Sequence, residues 1–192
     1  GKFTDEGSVK YWFKIANNSA NAPELNKHKR FYGLLQFLPI SNIQIVLYGD
    51  YATYAPKIDP LDKQSKTNGA FVGDVMLNLF QKDTYSIGVE SFYKSQQNNF
   101  APNALSPLQT QNGYGVSAFL WVSIIDKLRL VGRYDIYEPN NEKENDRQSL
   151  ILGALDFQPD KGVSIMPNVE MISYQGIDPK DLVGRITFYY QF

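Results

Sequence analysis

Along the segment LVGRITFYYQF, the residues Leu182, Gly184, Ile186, Phe188, Tyr190 and Phe192 alternate with Val183, Arg185, Thr187, Tyr189 and Gln191. The first set is apolar and the second carries a charge and an amide. A period of two is the signature of a strand whose two faces meet different surroundings. The same alternation returns along the chain and predicts ten strands, over 8–17, 28–38, 42–54, 69–80, 84–95, 113–124, 127–137, 148–158, 162–174 and 182–192. No stretch keeps apolar residues at helical spacing over several turns, and Gly, Pro and Asn recur too often for helices. The chain reads as all-β.

The two faces differ consistently from strand to strand. One gathers Val9, Tyr11, Phe13 and Ile15, then Ile43, Ile45 and Leu47, then Phe71, Val75 and Leu77, then Val116, Leu120 and Val122, then Leu128, Leu130, Gly132 and Tyr134. The other holds Lys10, Lys14, Asp50, Asp74, Glu90, Lys127, Arg129, Arg133, Asp135, Glu170 and Arg185. So many charges in a dry core would cost too much free energy, which predicts that this face meets water. Two places fit less cleanly. In 148–158 Leu150 and Leu152 oppose Ile151, Leu155 and Phe157, and Pro167 inside a strand predicts a bulge, because proline removes a ladder hydrogen bond.

The connections are sorted by length. Tight links, such as QKD at 81–83 and ID at 125–126, alternate with long polar ones, such as QQNNFAPNALSPLQTQN at 96–112 and EPNNEKENDRQ at 138–148. In an up-and-down antiparallel sheet this puts every short turn at one rim and every long loop at the other. Outer-membrane barrels show that asymmetry, with short periplasmic turns, long extracellular loops and tilted strands of about 9–11 residues. The expected fold is therefore an antiparallel up-and-down transmembrane β-barrel of about ten visible strands, in one domain over 1–192 or as the C-terminal part of a larger barrel. Phe192 would then lie at the periplasmic rim, and Phe37, Phe80, Phe157 and Tyr190 near the short turns would form an aromatic girdle.

Composition adds exclusions. With 19 Lys and Arg against 20 Asp and Glu the net charge is -1, so nothing favours nucleic acid. Cysteine is absent, which removes disulfides, thiolate metal sites and cysteine nucleophiles. No apolar run approaches the roughly 18–20 residues of a membrane-spanning helix. The opening GKFTDEGSVKYW has neither the basic nor the apolar part of a signal peptide, which predicts either removal of a leader or a chain that begins inside a longer one.

The runs KLRLVGRYDIYEPN, LILGALDFQPDKGVSIMPNVEMISYQ and VGRITFYYQF resemble the C-terminal hairpins of bacterial outer-membrane porins, notably the phosphate-selective porin O and P type. The resemblance covers about Gly113 to Phe192. It implies passive diffusion of small hydrophilic solutes or ions, a homotrimer, and placement in the bacterial outer membrane among lipid and lipopolysaccharide. Such porins have about sixteen or more strands, and no basic ladder matches residue by residue, so phosphate selectivity is not implied. On this reading the charged face, Lys10, Lys14, Asp50, Asp74, Glu90, Lys127, Arg129, Arg133, Asp135, Glu170 and Arg185, lines a wet pore. Two alternatives are a non-conducting outer-membrane barrel acting through its long loops and a soluble β-barrel binding an apolar ligand.

Catalysis is not expected, nor is a cofactor or a metal. The single histidine, His28, sits among lysines and arginine in NKHKR and reads as a solvated residue. No Gly-x-Ser-x-Gly occurs, and no His-rich metal spacing. NNS at 17–19 fits a short glycosylation pattern common by chance. The acidic loop EPNNEKEND could offer Glu138, Glu142, Glu144 and Asp146 to calcium, but it lacks a known calcium-loop spacing and reads as a solvated face.

Overall fold

The computed structural model describes residues 1–18 and 27–191. Ten antiparallel strands follow one another in sequence: β1 (Val9–Asn17), β2 (Lys29–Ile40), β3 (Ile43–Ile58), β4 (Ser65–Gln81), β5 (Tyr85–Phe100), β6 (Gln109–Ile125), β7 (Leu128–Glu138), β8 (Gln148–Phe157), β9 (Val163–Tyr174) and β10 (Ile177–Tyr190). Each pairs with its sequence neighbours in a single sheet. The all-β reading and the strand number hold, and the turns between β2 and β3, β4 and β5, and β6 and β7 are tight. The strands run further toward the long-loop rim than the alternation suggested. β4 starts at Ser65 rather than 69, and β5 extends to Phe100 rather than 95. The last connection shrinks most, since Ile177 already pairs with Tyr174. Where β4, β5 and β6 lengthen, polar side chains hydrogen-bond across the strands, Gln96 to Asn68 and Asn99 to Gln111, so the ladder continues where apolar alternation has stopped.

The sheet is open, and this overturns the expected barrel. Among the described residues β10 pairs with β9 alone, and β1 pairs with β2 and, at its outer edge, with the chain's own start. Gly1 N donates to Tyr11 O and Tyr11 N donates back to Gly1 O, both at 2.9 Å, while Phe3 N donates to Val9 O at 2.8 Å. The backbone groups of β1 that a closing strand would need are thus partly taken. Without a closed wall there is no lumen. The transmembrane barrel, the porin-like channel and ion transport, and the two alternative barrels are therefore corrected together. So are the outer-membrane placement, with its extracellular and periplasmic rims, the lipid, lipopolysaccharide and solute partners, and the homotrimer, all of which rested on closure. No helix among the described residues is long and apolar enough to cross a membrane.

The sheet forms one layer. Its accessible surface is 12751 Å², against about 9,300 Å² expected for a compact protein of this mass. Ala52 and Ala154 are the buried apolar residues among those described, whereas Asp50, Ser86, Asp156 and Asn168 are buried polar ones. The polar face is therefore the more sheltered side, and the apolar face is the open one. Aromatic rings fill the polar side where glycines leave room: a Cβ on Gly88 would meet the Phe119 ring, and one on Gly115 the Phe92 ring.

Three local expectations are settled. Ile151, Leu155 and Phe157 lie on the open apolar face, opposite Leu150, Leu152 and Asp156. Pro167 causes no bulge. It pairs in register with Ile186, and the β8–β9 ladder is interrupted between Ala154 and Phe157 without a shift, as a missing N–H toward β8 requires. The irregularity falls instead between Ile177 and Asp181, around Pro179. The aromatic girdle falls with the barrel: Phe37, Phe157 and Tyr190 lie on the apolar face, whereas Phe80 shares the polar face with Asn78; Phe192 and Ser19 lie outside the described residues.

Candidate functional site

The polar face is built from alternate residues of every strand, so its charges share one side of the sheet, most of them directly opposite an uncharged residue: Lys14 faces Tyr32, Asp74 faces Tyr48 and Arg133 faces Leu152. Ten of the eleven candidates lie there: Lys10, Lys14, Asp50, Asp74, Glu90, Arg129, Arg133, Asp135, Glu170 and Arg185. Lys127 does not. It occupies the β6–β7 turn with φ of 65° and donates its Nζ to Pro159 O at 2.9 Å.

Most of these charges are used locally. Arg30 donates Nε to Asp50 Oδ1 and Nη2 to Asp50 Oδ2, each at 2.9 Å, and Tyr48 OH donates to Asp50 Oδ2 at 2.7 Å. Asp50 is 4% exposed. Burial and the Asp50 carboxylate push the Tyr48 phenol up to about 12. Lys14 and Arg30 both stand over the Tyr32 ring, at 5.8 and 5.3 Å. Further round, Arg133 Nε bonds both Asp135 oxygens at 2.9 Å, and Arg185 Nη1 bonds Glu170 Oε1 at 3.0 Å. Arg129 stacks on Trp121 at 4.3 Å, and Lys94 hydrogen-bonds the Tyr137 hydroxyl. Asp74 stands beside a like charge. Burial, and then its neighbour Glu90, hold its carboxyl above the usual range.

Sequence reasoning missed Arg30 and Tyr48, whose roles depend on which strand faces which. It also read the rim as solvated loops, whereas the rim is knit together. Asp59, 2% exposed, accepts Leu61 N at 2.9 Å and Leu108 N at 3.0 Å, tying the β3–β4 and β5–β6 connections. Lys57, Asn99 and Gln111 continue the bonding to Pro139 O. Among the described residues no group of three or more His, Cys, Asp or Glu converges on a metal position.

The open edge is the other feature. Gln191 N donates to Gly162 O at 2.8 Å, which fixes the parity of β10. Odd residues bond to β9, so the N–H and C=O of Leu182, Gly184, Ile186 and Phe188 point outward from the last strand of the sheet. Their side chains lie on the apolar face, with Leu182 and Phe188 each 72% exposed and Ile186 63%. The other face of β10 carries Val183, Arg185, Thr187 and Tyr189.

Fold and edge together define an open single-layer antiparallel meander whose last strand, among the described residues, has no strand paired on its outer side. The chain matches no protein-family model and no curated protein. The porin resemblance is corrected accordingly: the alternation, short turns and aromatic ending of its three runs are features that an amphipathic antiparallel sheet can have without belonging to that family.

Proposed function

We propose that the protein is a non-catalytic interaction module that binds an extended β-strand of another polypeptide along β10. The observation that carries this reading is the row of outward backbone groups at Leu182, Gly184, Ile186 and Phe188. A long edge strand with unpaired donors and acceptors is a template for strand addition, in which main-chain bonds supply affinity and alternate side chains supply selectivity. The β10 side chains specify the partner: alternate residues apolar, to lie beside Leu182, Ile186 and Phe188, and intervening residues polar, to lie beside Arg185 and Thr187. The ion pairs of the polar face support this reading, because they stiffen the scaffold behind the edge and leave few charged groups uncommitted.

A peptide with the β1 sequence VKYWFKIAN has the required alternation and serves as a probe. It should protect the amides of Gly184, Ile186 and Phe188 from hydrogen exchange and leave those of Val183, Arg185 and Thr187, already bonded to β9, unchanged. Ile186→Pro removes one outward donor without touching the β9 ladder and should weaken peptide binding at least tenfold. Phe188→Lys, which puts a charge at the edge, should do the same with the fold intact. Unaltered exchange at the three outward amides under saturating peptide would sink the proposal.

A further inference from the structure

The β7–β8 connection holds an arrangement that strand pairing does not use. Glu138, at the end of β7, has a side chain only 7% exposed, and Arg147 Nε bonds its Oε2 at 3.1 Å. Its other oxygen, Oε1, is buried and lacks a hydrogen-bond partner, and so does Asp146 Oδ1 on the same connection. Asp146 lies within hydrogen-bonding reach of Glu138, and burial and this second carboxyl raise the Glu138 pKa. Two ionised carboxylates are acceptors only, so their approach away from water requires something positive between them. Arg147 is already committed to Oε2.

We propose that Glu138 Oε1 and Asp146 Oδ1 are the two carboxylate ligands of a calcium-type divalent cation site in the β7–β8 connection. Both donors are oxygen, which suits a hard cation, and calcium tolerates an irregular shell completed by water and backbone carbonyls. The backbone around them is held: Asn141 N donates to Asn112 O at 2.9 Å, and buried Asn140 accepts Glu142 N at 3.2 Å. Glu142 and Glu144 on the same connection are exposed and give the approach a negative field. Arg147 offsets one carboxylate charge, which places the affinity in the range of weak sites, with Kd on the order of 10⁻⁴–10⁻³ M.

The test is thermal unfolding of the full chain at neutral pH in EDTA and in 10 mM calcium chloride. Calcium should raise the midpoint by about 4–8 °C, saturably, and terbium should be displaced from the chain by calcium. Asp146→Asn keeps the Glu138–Arg147 pair and relieves the carboxylate contact, so it should fold and lose the calcium shift. Glu138→Gln should lose it as well. An unchanged midpoint in calcium, with wild-type stability rising on mild acidification and that rise absent in Asp146→Asn, would overturn the proposal in favour of a shared proton. An equal calcium shift in wild type and Asp146→Asn would overturn it in favour of cation binding elsewhere.

Discussion

Asp50 shows what one carboxylate does on a single-layer sheet. It gathers Arg30 from the preceding strand and Tyr48 from its own, and burial makes each of those bonds matter more than a surface pair would. Asp50→Ala leaves a half-buried guanidinium and a phenol without their acceptor, and should cost about 2 kcal/mol, or roughly 4–8 °C in the unfolding midpoint. Tyr48→Phe removes one bond and should cost about 1 kcal/mol. The ultraviolet titration of Tyr48→Phe should also lack the late phenol that the wild type ionises near pH 12. Asp74 behaves in the opposite sense. Its folded pKa lies above the unfolded value, so the native state binds the proton more tightly. Its contribution to stability is present at low pH and lost as pH rises through the folded pKa. Asp74→Asn should therefore be more stable than wild type at pH 7, with the difference shrinking as pH falls to about 4. Melting curves across that range test the sign, and a constant difference would exclude the mechanism.

At the scale of the element, strand identity was legible because the period-two pattern is carried by many residues, while strand ends were not. β4 and β5 run on through Asn68, Gln96 and Asn99, whose polar side chains carry no alternation yet bond across the ladder. The glycines separate in the same way. A Cβ at Gly113 would lie 2.5 Å from Pro139 O and 2.6 Å from Glu138 O, backbone atoms that cannot swing aside, whereas one at Gly153 meets nothing within 4 Å. Gly113→Ala should destabilise the protein by about 1–3 kcal/mol, and Gly153→Ala should change stability by less than about 0.5 kcal/mol. Chemical denaturation of the two variants side by side measures the contrast.

Over the described residues the open sheet leaves an apolar face uncovered and two unlike edges, β1 partly covered by Gly1 to Phe3 and β10 with no strand paired on its outer side. Cysteine pairs can report this geometry, because the chain has no cysteine of its own. Ile165→Cys with Phe188→Cys stand opposite each other on β9 and β10 and should oxidise to an intramolecular disulfide. Tyr11→Cys with Phe188→Cys would be near neighbours if β10 closed onto β1, and in the open sheet they should stay reduced in dilute solution. Non-reducing electrophoresis of the two double variants distinguishes the arrangements.

The sequence by itself determined the ten strands, their order of hairpins and the separation of an apolar from a charged face, because each follows from alternation and connection length along one stretch of chain. It placed ten of the eleven charged candidates on their common face and misplaced Lys127, whose turn position depends on where β6 ends. Closure was beyond its reach. Whether β10 meets β1 depends on twist and curl accumulated over the whole sheet and on what occupies the edge of β1, and here Gly1 and Phe3 take backbone groups that local alternation leaves unassigned. The same holds for Asp50 with Arg30 and for Glu138 with Asp146 and Arg147. Each residue type is plain in the sequence, but only the tertiary structure decides which carboxylate is satisfied and which is left buried with a bare oxygen.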